Sequence, residues 1–159
     1  MKIQILCVGK IKEKFYRDAI AEFEKRLGRY CKLEIIEVPD EQTPDGASDA
    51  LCEQIKEKEG KKLLSKISED AFVCTLEIQG KKMDSVKFSE FIEKSAVQGK
   101  GQIIFVIGGS LGISASVCKR SDQAISFSDM TFPHQLMRVI LCEQIYRGFR
   151  ISHGEPYHK

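Results

Sequence analysis

An open α/β layer fold, with a mostly parallel sheet and helices on both faces, follows from three features of this sequence. Five short apolar runs are each nearly continuous rather than alternating, as expected of strands covered on both sides. Stretches with helical spacing separate them, so strand and helix alternate along the chain. The fourth run leads directly into a glycine pair, at the kind of strand end where open sheets bind ligands.

The elements follow in order. KIQILCV (2–8) predicts the first strand. A helix is expected over 13–30, where Phe15, Ala19, Phe23 and Leu27 recur every four positions and charges lie opposite. LEIIEV (33–38) is the second strand, and the turn-rich PDEQTPDGAS leads into a helix over 48–67 marked by Leu51, Ile55, Leu63, Leu64 and Ile67. AFVCTL (71–76) is the third strand. Asp84 is placed to cap a helix over 85–97 carrying Phe88, Phe91 and Ile92. QIIFVI (102–107) and QAISFS (123–128) complete the strands, and Pro133 suits the first turn of a last helix. Gly28 reads as the end of the first helix and Gly60 as an interruption of the second.

That last helix departs from the usual one-sided pattern. Leu136, Met137, Val139, Ile140, Leu141, Ile145, Tyr146 and Phe149 point around most of the cylinder. A helix apolar on nearly all sides must be covered on nearly all sides. One sheet covers one face, and a second subunit with two-fold symmetry is expected over the other; complete burial within one chain is the alternative.

Composition narrows the function. The 159 residues suit one domain, 1–159, with 42% hydrophobic and 30% charged side chains. No apolar run approaches the roughly 20 residues that span a bilayer, and Gly9-Lys10 ends the first run too early for a signal peptide. Cys7, Cys31, Cys52, Cys74, Cys118 and Cys142 form no CxxC pair, so reduced, mostly buried thiols and a cytoplasmic location are expected. The formal charge is only +2. Residues 101–159 hold six basic and four acidic side chains, and Lys10, Lys12, Lys14 and Arg17 cluster near the start. Such clusters can track phosphates, but solvated faces and loop charges are the plainer reading of them.

Several chemistries are excluded. One glycine in VGKIKEK cannot make a dinucleotide fingerprint, and no P-loop is present. His153 and His158 are five apart with His134 far upstream, and no cysteine is spaced to join them, so no metal site is expected. No nucleophile elbow surrounds a serine or cysteine. GGSLGIS after the fourth strand and SFSDMT after the fifth offer positive-φ backbone and spare donors, which fit either tight turns or two loops around a nucleoside. All three histidines fall in the last 26 residues, with Tyr157 beside one of them.

FVIGGSLGI, SFSDMTFPHQLMRVILCEQIYRG and the terminal GEPYHK together resemble the SPOUT-class methyltransferases that act on N3 of a pseudouridine in 23S ribosomal RNA. The likeness runs from KIQILCVGKIKEKF to the end, with Ser110 standing where that family usually has proline. It implies a C-terminal trefoil knot, a feature rare among folds, and S-adenosyl-L-methionine as methyl donor with no metal. It also implies a homodimer acting on the assembled ribosome. By position, the resemblance assigns the cofactor to Leu76, Gly108, Phe127, Ser128, Asp129, Met130, Thr131 and Phe132. It assigns catalysis to Tyr157 and His158, which can stack on and deprotonate a base drawn into an open cleft. Arg147, Lys159 and Arg138 are the expected RNA contacts. His134 is expected to cap backbone or pack against a partner, His153 to lie exposed in a turn, and Glu143 to pair with Arg147 along the helix. The alternatives are a non-catalytic ribosome-associated protein and a SPOUT enzyme with a different RNA target.

Overall fold

In a computed structural model describing residues Met1–Lys159, five parallel strands form one sheet. They are β1 (Lys2–Val8), β2 (Lys32–Val38), β3 (Phe72–Lys82), β4 (Gln102–Ile107) and β5 (Gln123–Ser126), in the order β2-β1-β4-β3-β5. Five helices accompany them: α1 (Lys14–Leu27), α2 (Asp49–Leu64), α3 (Ser85–Gln98), α4 (Ala115–Arg120) and α5 (His134–Ser152).

The continuous apolar runs divide by parity, because successive side chains of a strand point to opposite faces. Ile3, Ile5 and Cys7 of β1 join Ile103, Phe105 and Ile107 of β4 on one face. There they meet Ile20 and Leu27 of α1, Phe88 and Ile92 of α3, and Leu141, Cys142, Ile145 and Phe149 of α5. Leu6, Val8, Ile104 and Val106 face the other way, against Leu63 of α2 and Val117 of α4. Helix α5 touches both α1 and α3 and crosses over β4, so it returns from the β5 edge to the middle of the sheet.

Helix ends follow local chemistry. The Ser48 hydroxyl accepts from Leu51 N–H at 3.2 Å, and the Asp84 carboxylate accepts from Lys87 N–H at 2.8 Å, as its position predicts. Gly28 does end α1. Gly60, by contrast, does not interrupt α2, which runs unbroken. A Cβ at Gly60 would lie 2.1 Å from Ser114 Oγ, so the glycine lets α4's capping serine press against the helix.

The four-residue stripe on α1 misplaces one residue. Phe15 is 63% exposed, while Ile20 and Leu27 are buried. Steps of four advance 400°, so a row of i, i+4 residues slants across the helix. From Leu27 back to Phe15 the drift is about 120°, enough to leave the core.

Helix α5 is partly covered by its own chain. Leu141, Cys142, Ile145 and Phe149 are buried, whereas Leu136, Met137, Val139 and Ile140 are only half-buried. No helix is long and apolar enough to cross a membrane. Cys7, Cys31, Cys74 and Cys142 are buried and all six cysteines are free thiols.

Candidate active site at the carboxyl ends of three strands

Strands β4, β3 and β5 are neighbours, and a bulge within β3 together with the loops leaving the carboxyl ends of β4 and β5 encloses a cavity of about 480 Å3. Its walls are residues 76–79 after the start of β3, 107–113 after β4, and 125–132 after β5, without Asp129; His134 and Met137 of α5 and Cys118 of α4 complete it.

The first wall arises from an irregularity in β3. Ile125 pairs with both Leu76 and Lys81, so the residues between them bulge out of the ladder toward the cavity. Gly80 allows this, since a Cβ there would sit 2.5 Å from the Ile125 carbonyl carbon. The second wall is the glycine loop. A Cβ at Gly108 would come within 2.7 Å of the Gly112 carbonyl group, and Gly112 itself takes φ +92°. Gly112 N–H donates to Gly109 C=O at 3.0 Å, closing the turn. In the third wall, Ser128 Oγ accepts from Met130 N–H at 3.0 Å, and Ser126 Oγ donates to Ser128 C=O at 3.1 Å.

The lining holds two ionisable groups besides a thiol. Glu77 accepts from the Cys118 thiol at 3.2 Å, and burial followed by that carboxylate pushes the thiol up to about 11, so it remains protonated. Burial, and then nearby Arg138, holds His134 below the usual imidazole range; it faces the cavity as a neutral ring. Behind the loop, the buried Glu59 carboxylate accepts from Glu41 N–H at 3.0 Å and lies under Gly109. Burial raises its pKa.

The structure brings together Leu76, Gly108, Phe127, Ser128, Met130, Thr131 and Phe132 around this one cavity. Asp129 is the exception. Its side chain is 79% exposed and pairs with Lys82 at 2.5 Å, outside the walls.

The tail residues lie elsewhere in the chain. Tyr157 packs edge-on against Tyr146 at 4.9 Å, sits under the Arg147 guanidinium at 4.7 Å and donates its hydroxyl to Glu143 at 3.1 Å. Burial and Glu143 raise the Tyr157 pKa, so its hydroxyl keeps the proton at neutral pH. Arg147 binds Glu143 at 2.5 Å, as the four-residue spacing predicts. Its Nη1 also lies 3.4 Å from His158 Nδ1. A guanidinium only donates, so Nδ1 is the acceptor in this contact. His158 lines a second cavity of about 680 Å3, which shares Ile125, Ser126, Phe127 and Phe132 with the first. No tail residue lines the first cavity of its own chain.

The base of the tail is tied down by Glu155, which accepts from Arg150 at 2.5 Å, Arg29 at 2.9 Å and the Tyr30 hydroxyl. His153 is exposed, with its ring edge-on to Tyr30. Lys159 is exposed and makes no ion pair.

Arg138 requires a correction. It is fully buried and donates to Glu37 at 2.7 Å, Val8 C=O at 3.0 Å and Gly9 C=O at 2.8 Å. A side chain so enclosed has no face for an RNA phosphate; its spacing along α5 alone gave no hint of a carbonyl cluster 130 residues upstream.

The family described as "Predicted SPOUT methyltransferase" matches residues 1–158. The chain belongs to the SPOUT methyltransferase family. "Ribosomal RNA large subunit methyltransferase H" of Clostridium beijerinckii is 58% identical over 159 residues, covering all of both chains. The proteins of that name from Clostridium perfringens (strain 13) and Bifidobacterium adolescentis are each 57% identical, again over the full length of both. In this SPOUT methyltransferase, the cavity wall also includes residues to which the sequence reading assigned no part, among them Glu77 and Cys118. Glu77 directly follows the apolar run 71–76 and was detectable as a carboxylate at its end. Cys118 lies in the six-residue α4, too short to show a period.

Proposed function

We propose that this chain uses S-adenosyl-L-methionine to methylate N3 of a pseudouridine in 23S ribosomal RNA on the assembled ribosome, as a homodimer with a C-terminal trefoil knot. The observation that carries this reading is the cavity itself. It is built by the bulge in β3 and the loops at the carboxyl ends of β4 and β5, in a chain matched end to end by ribosomal RNA methyltransferases.

The residues fit the methyl donor. A volume of about 480 Å3 lies in the range of small-molecule sites, roughly 300–1,000 Å3. A side chain at Gly108 would collide with the Gly112 carbonyl group and Ile113, which form part of the cavity wall. Glu77 is the single carboxylate in the lining, a suitable neighbour for a sulfonium cation, and neutral His134 adds no opposing charge. Leu76, Gly108 and residues 127–132, through their backbone groups and apolar side chains, would hold the nucleoside and methionine portions. Bound there, S-adenosyl-L-methionine supplies an electrophilic methyl group.

The protein then has two tasks. It holds the target nitrogen in line with the methyl–sulfur bond, an alignment worth roughly 7–11 kcal/mol. It also accepts the N3 proton, a contribution of about 10²–10⁴-fold. Tyr157, held as a neutral hydroxyl, suits stacking and orientation; His158, once turned away from Arg147, offers Nδ1 as proton acceptor. Lys159 is free to meet a phosphate. Arg147, already bound to Glu143, is better suited to holding Tyr157 in place.

Two features support a partner chain completing the site. The tail does not reach its own cavity, and the half-buried row Leu136, Val139 and Ile140 on α5 leaves apolar surface for a second copy. The knot follows from the family resemblance, and the path of α5, which returns from the edge strand to lie between α1 and α3, is compatible with it.

The deciding experiment is mass mapping of modified nucleosides in 23S ribosomal RNA from cells with and without the protein. The expected result is loss of a single methylated pseudouridine and its restoration by the wild-type chain. An unchanged map overturns the reading.

A further inference from the structure

The basic cluster in the loop between β1 and α1 and the first turn of α1 has a more specific character in the structure. Residues 10–17 carry four basic side chains against one acidic. Lys10 and Lys12 are exposed and form no ion pair, whereas Lys14 is matched by Asp18 at 2.6 Å. Among these cations stands Phe15, 63% exposed, its ring resting against Tyr16 at 4.3 Å between centroids.

The loop is held rather than loose. The Arg17 guanidinium donates to Ile11 C=O at 3.2 Å and Lys12 C=O at 2.8 Å. Ile11 N–H donates to Glu37 at 3.2 Å, and Arg138 fixes the Gly9 carbonyl from inside. Lys12 N–H donates to Gln135 Oε1 at 3.1 Å, next to His134 in the cavity wall. The platform therefore adjoins the rim of the methyl-transfer cavity.

An isolated exposed phenylalanine needs no explanation. One that is buttressed by a second ring and flanked by unpaired ammonium groups matches the composition of single-strand nucleic-acid platforms, where bases stack on aromatics and cations follow the backbone. We infer that Phe15, with Lys10 and Lys12, is a docking platform for an unpaired RNA strand beside the target nucleotide. One base stacks on Phe15, and flanking phosphates lie on the two lysines. This inference rests on the ribosomal RNA reading proposed above and adds a surface that reading does not require.

The test uses the full chain carrying Phe15→Ala, Phe15→Trp, the pair Lys10→Ala/Lys12→Ala, or Lys66→Ala as a control on a distant exposed lysine. Binding of a fluorescent, purine-containing single-stranded RNA is followed by anisotropy over a salt series. S-adenosyl-L-methionine binding is measured by calorimetry, and association state by sedimentation. Phe15→Ala is expected to weaken RNA binding roughly 5- to 150-fold, and Phe15→Trp to retain it. The double lysine variant is expected to flatten the logarithmic salt slope by about 1.4, two phosphates' worth for a single strand. Methyl-donor binding and thermal stability should not move.

Wild-type RNA affinity in Phe15→Ala overturns the inference. So does a change in association state caused by that variant, since the ring then belongs to a contact between copies. If the wild-type chain binds the RNA with the expected Phe15 dependence yet leaves the ribosomal nucleoside map unchanged, the platform stands and the proposed reaction falls.

Discussion

The Arg138 guanidinium lies 2.7 Å from the Glu37 carboxylate and at the same time holds the Val8 and Gly9 carbonyls at 3.0 and 2.8 Å. One residue of the last helix thereby fixes the point where β1 becomes the following loop. Removing one partner of a buried ion pair leaves the other groups unpaired, at about 3–5 kcal/mol. Arg138→Met is expected to lower unfolding free energy by that amount in chemical denaturation. Glu37→Gln keeps an oxygen that still accepts from Arg138 and from Ile11 N–H, but it leaves the fully buried guanidinium without a counter-charge, so its expected cost is also a few kcal/mol, toward the lower end of the same ~3–5 kcal/mol range.

Gly108→Ala tests the glycine loop. The new methyl would lie 2.7 Å from the Gly112 carbonyl group, and backbone rather than a flexible side chain would have to yield. Such overpacking typically costs about 1–3 kcal/mol. The displaced loop lines the cavity, so methyl-donor affinity in calorimetry should fall more than tenfold. A control substitution at Gly28, which has a helical φ and where a Cβ would meet nothing closer than the Lys25 carbonyl oxygen at 3.4 Å, should leave affinity unchanged.

His134 gives the cavity a pH dependence whose direction can be worked out. Its folded pKa is depressed, by burial first and Arg138 second, from an ordinary value of 6.5. Below 6.5 the unfolded chain therefore binds a proton that the folded chain resists. Stability is complete above that value and falls as pH drops toward the depressed folded pKa. A protonated ring would also oppose a sulfonium in the same cavity. Calorimetry from pH 8 to about 5.5 should show S-adenosyl-L-methionine binding weaken, while the uncharged thioether product is less affected. His134→Gln should flatten the difference.

The sequence reveals most of the layer order because buried parallel strands are continuous apolar runs; β1 and β4 coincide with the runs at 2–8 and 102–107. It hides α4, whose six residues are too few to show a period, and the second half of β3, whose IQGKK reads as a polar turn. Seven of the eight residues assigned to the methyl donor line one cavity, since backbone loops at adjacent strand ends converge. Asp129 does not, because a loop's backbone can face a ligand while one side chain turns to solvent. Arg138 and Phe15 were misread for a common reason. Spacing along a helix gives a direction relative to its neighbours, and only tertiary contacts say whether that direction meets a core, a carbonyl cluster or water.

Whether the tail serves its own cavity or a partner's can be decided by mixing two inactive chains. One carries a disabled cavity with an intact tail, as in Gly108→Ala; the other lacks residues 156–159 but keeps the cavity. Each alone is expected to transfer little methyl to ribosomes, and the truncated chain should still bind the methyl donor. Random reassociation of equal amounts makes about half the dimers mixed. If each site joins one chain's cavity to the other's tail, every mixed dimer has one complete site. Activity then returns to about a quarter of wild type. If the tail acts on its own cavity, no mixed dimer contains a complete site and the mixture stays inactive. In the single chain Tyr157 lies against Tyr146 and Glu143 while the cavity is lined without it, which is the arrangement that leads us to expect recovery.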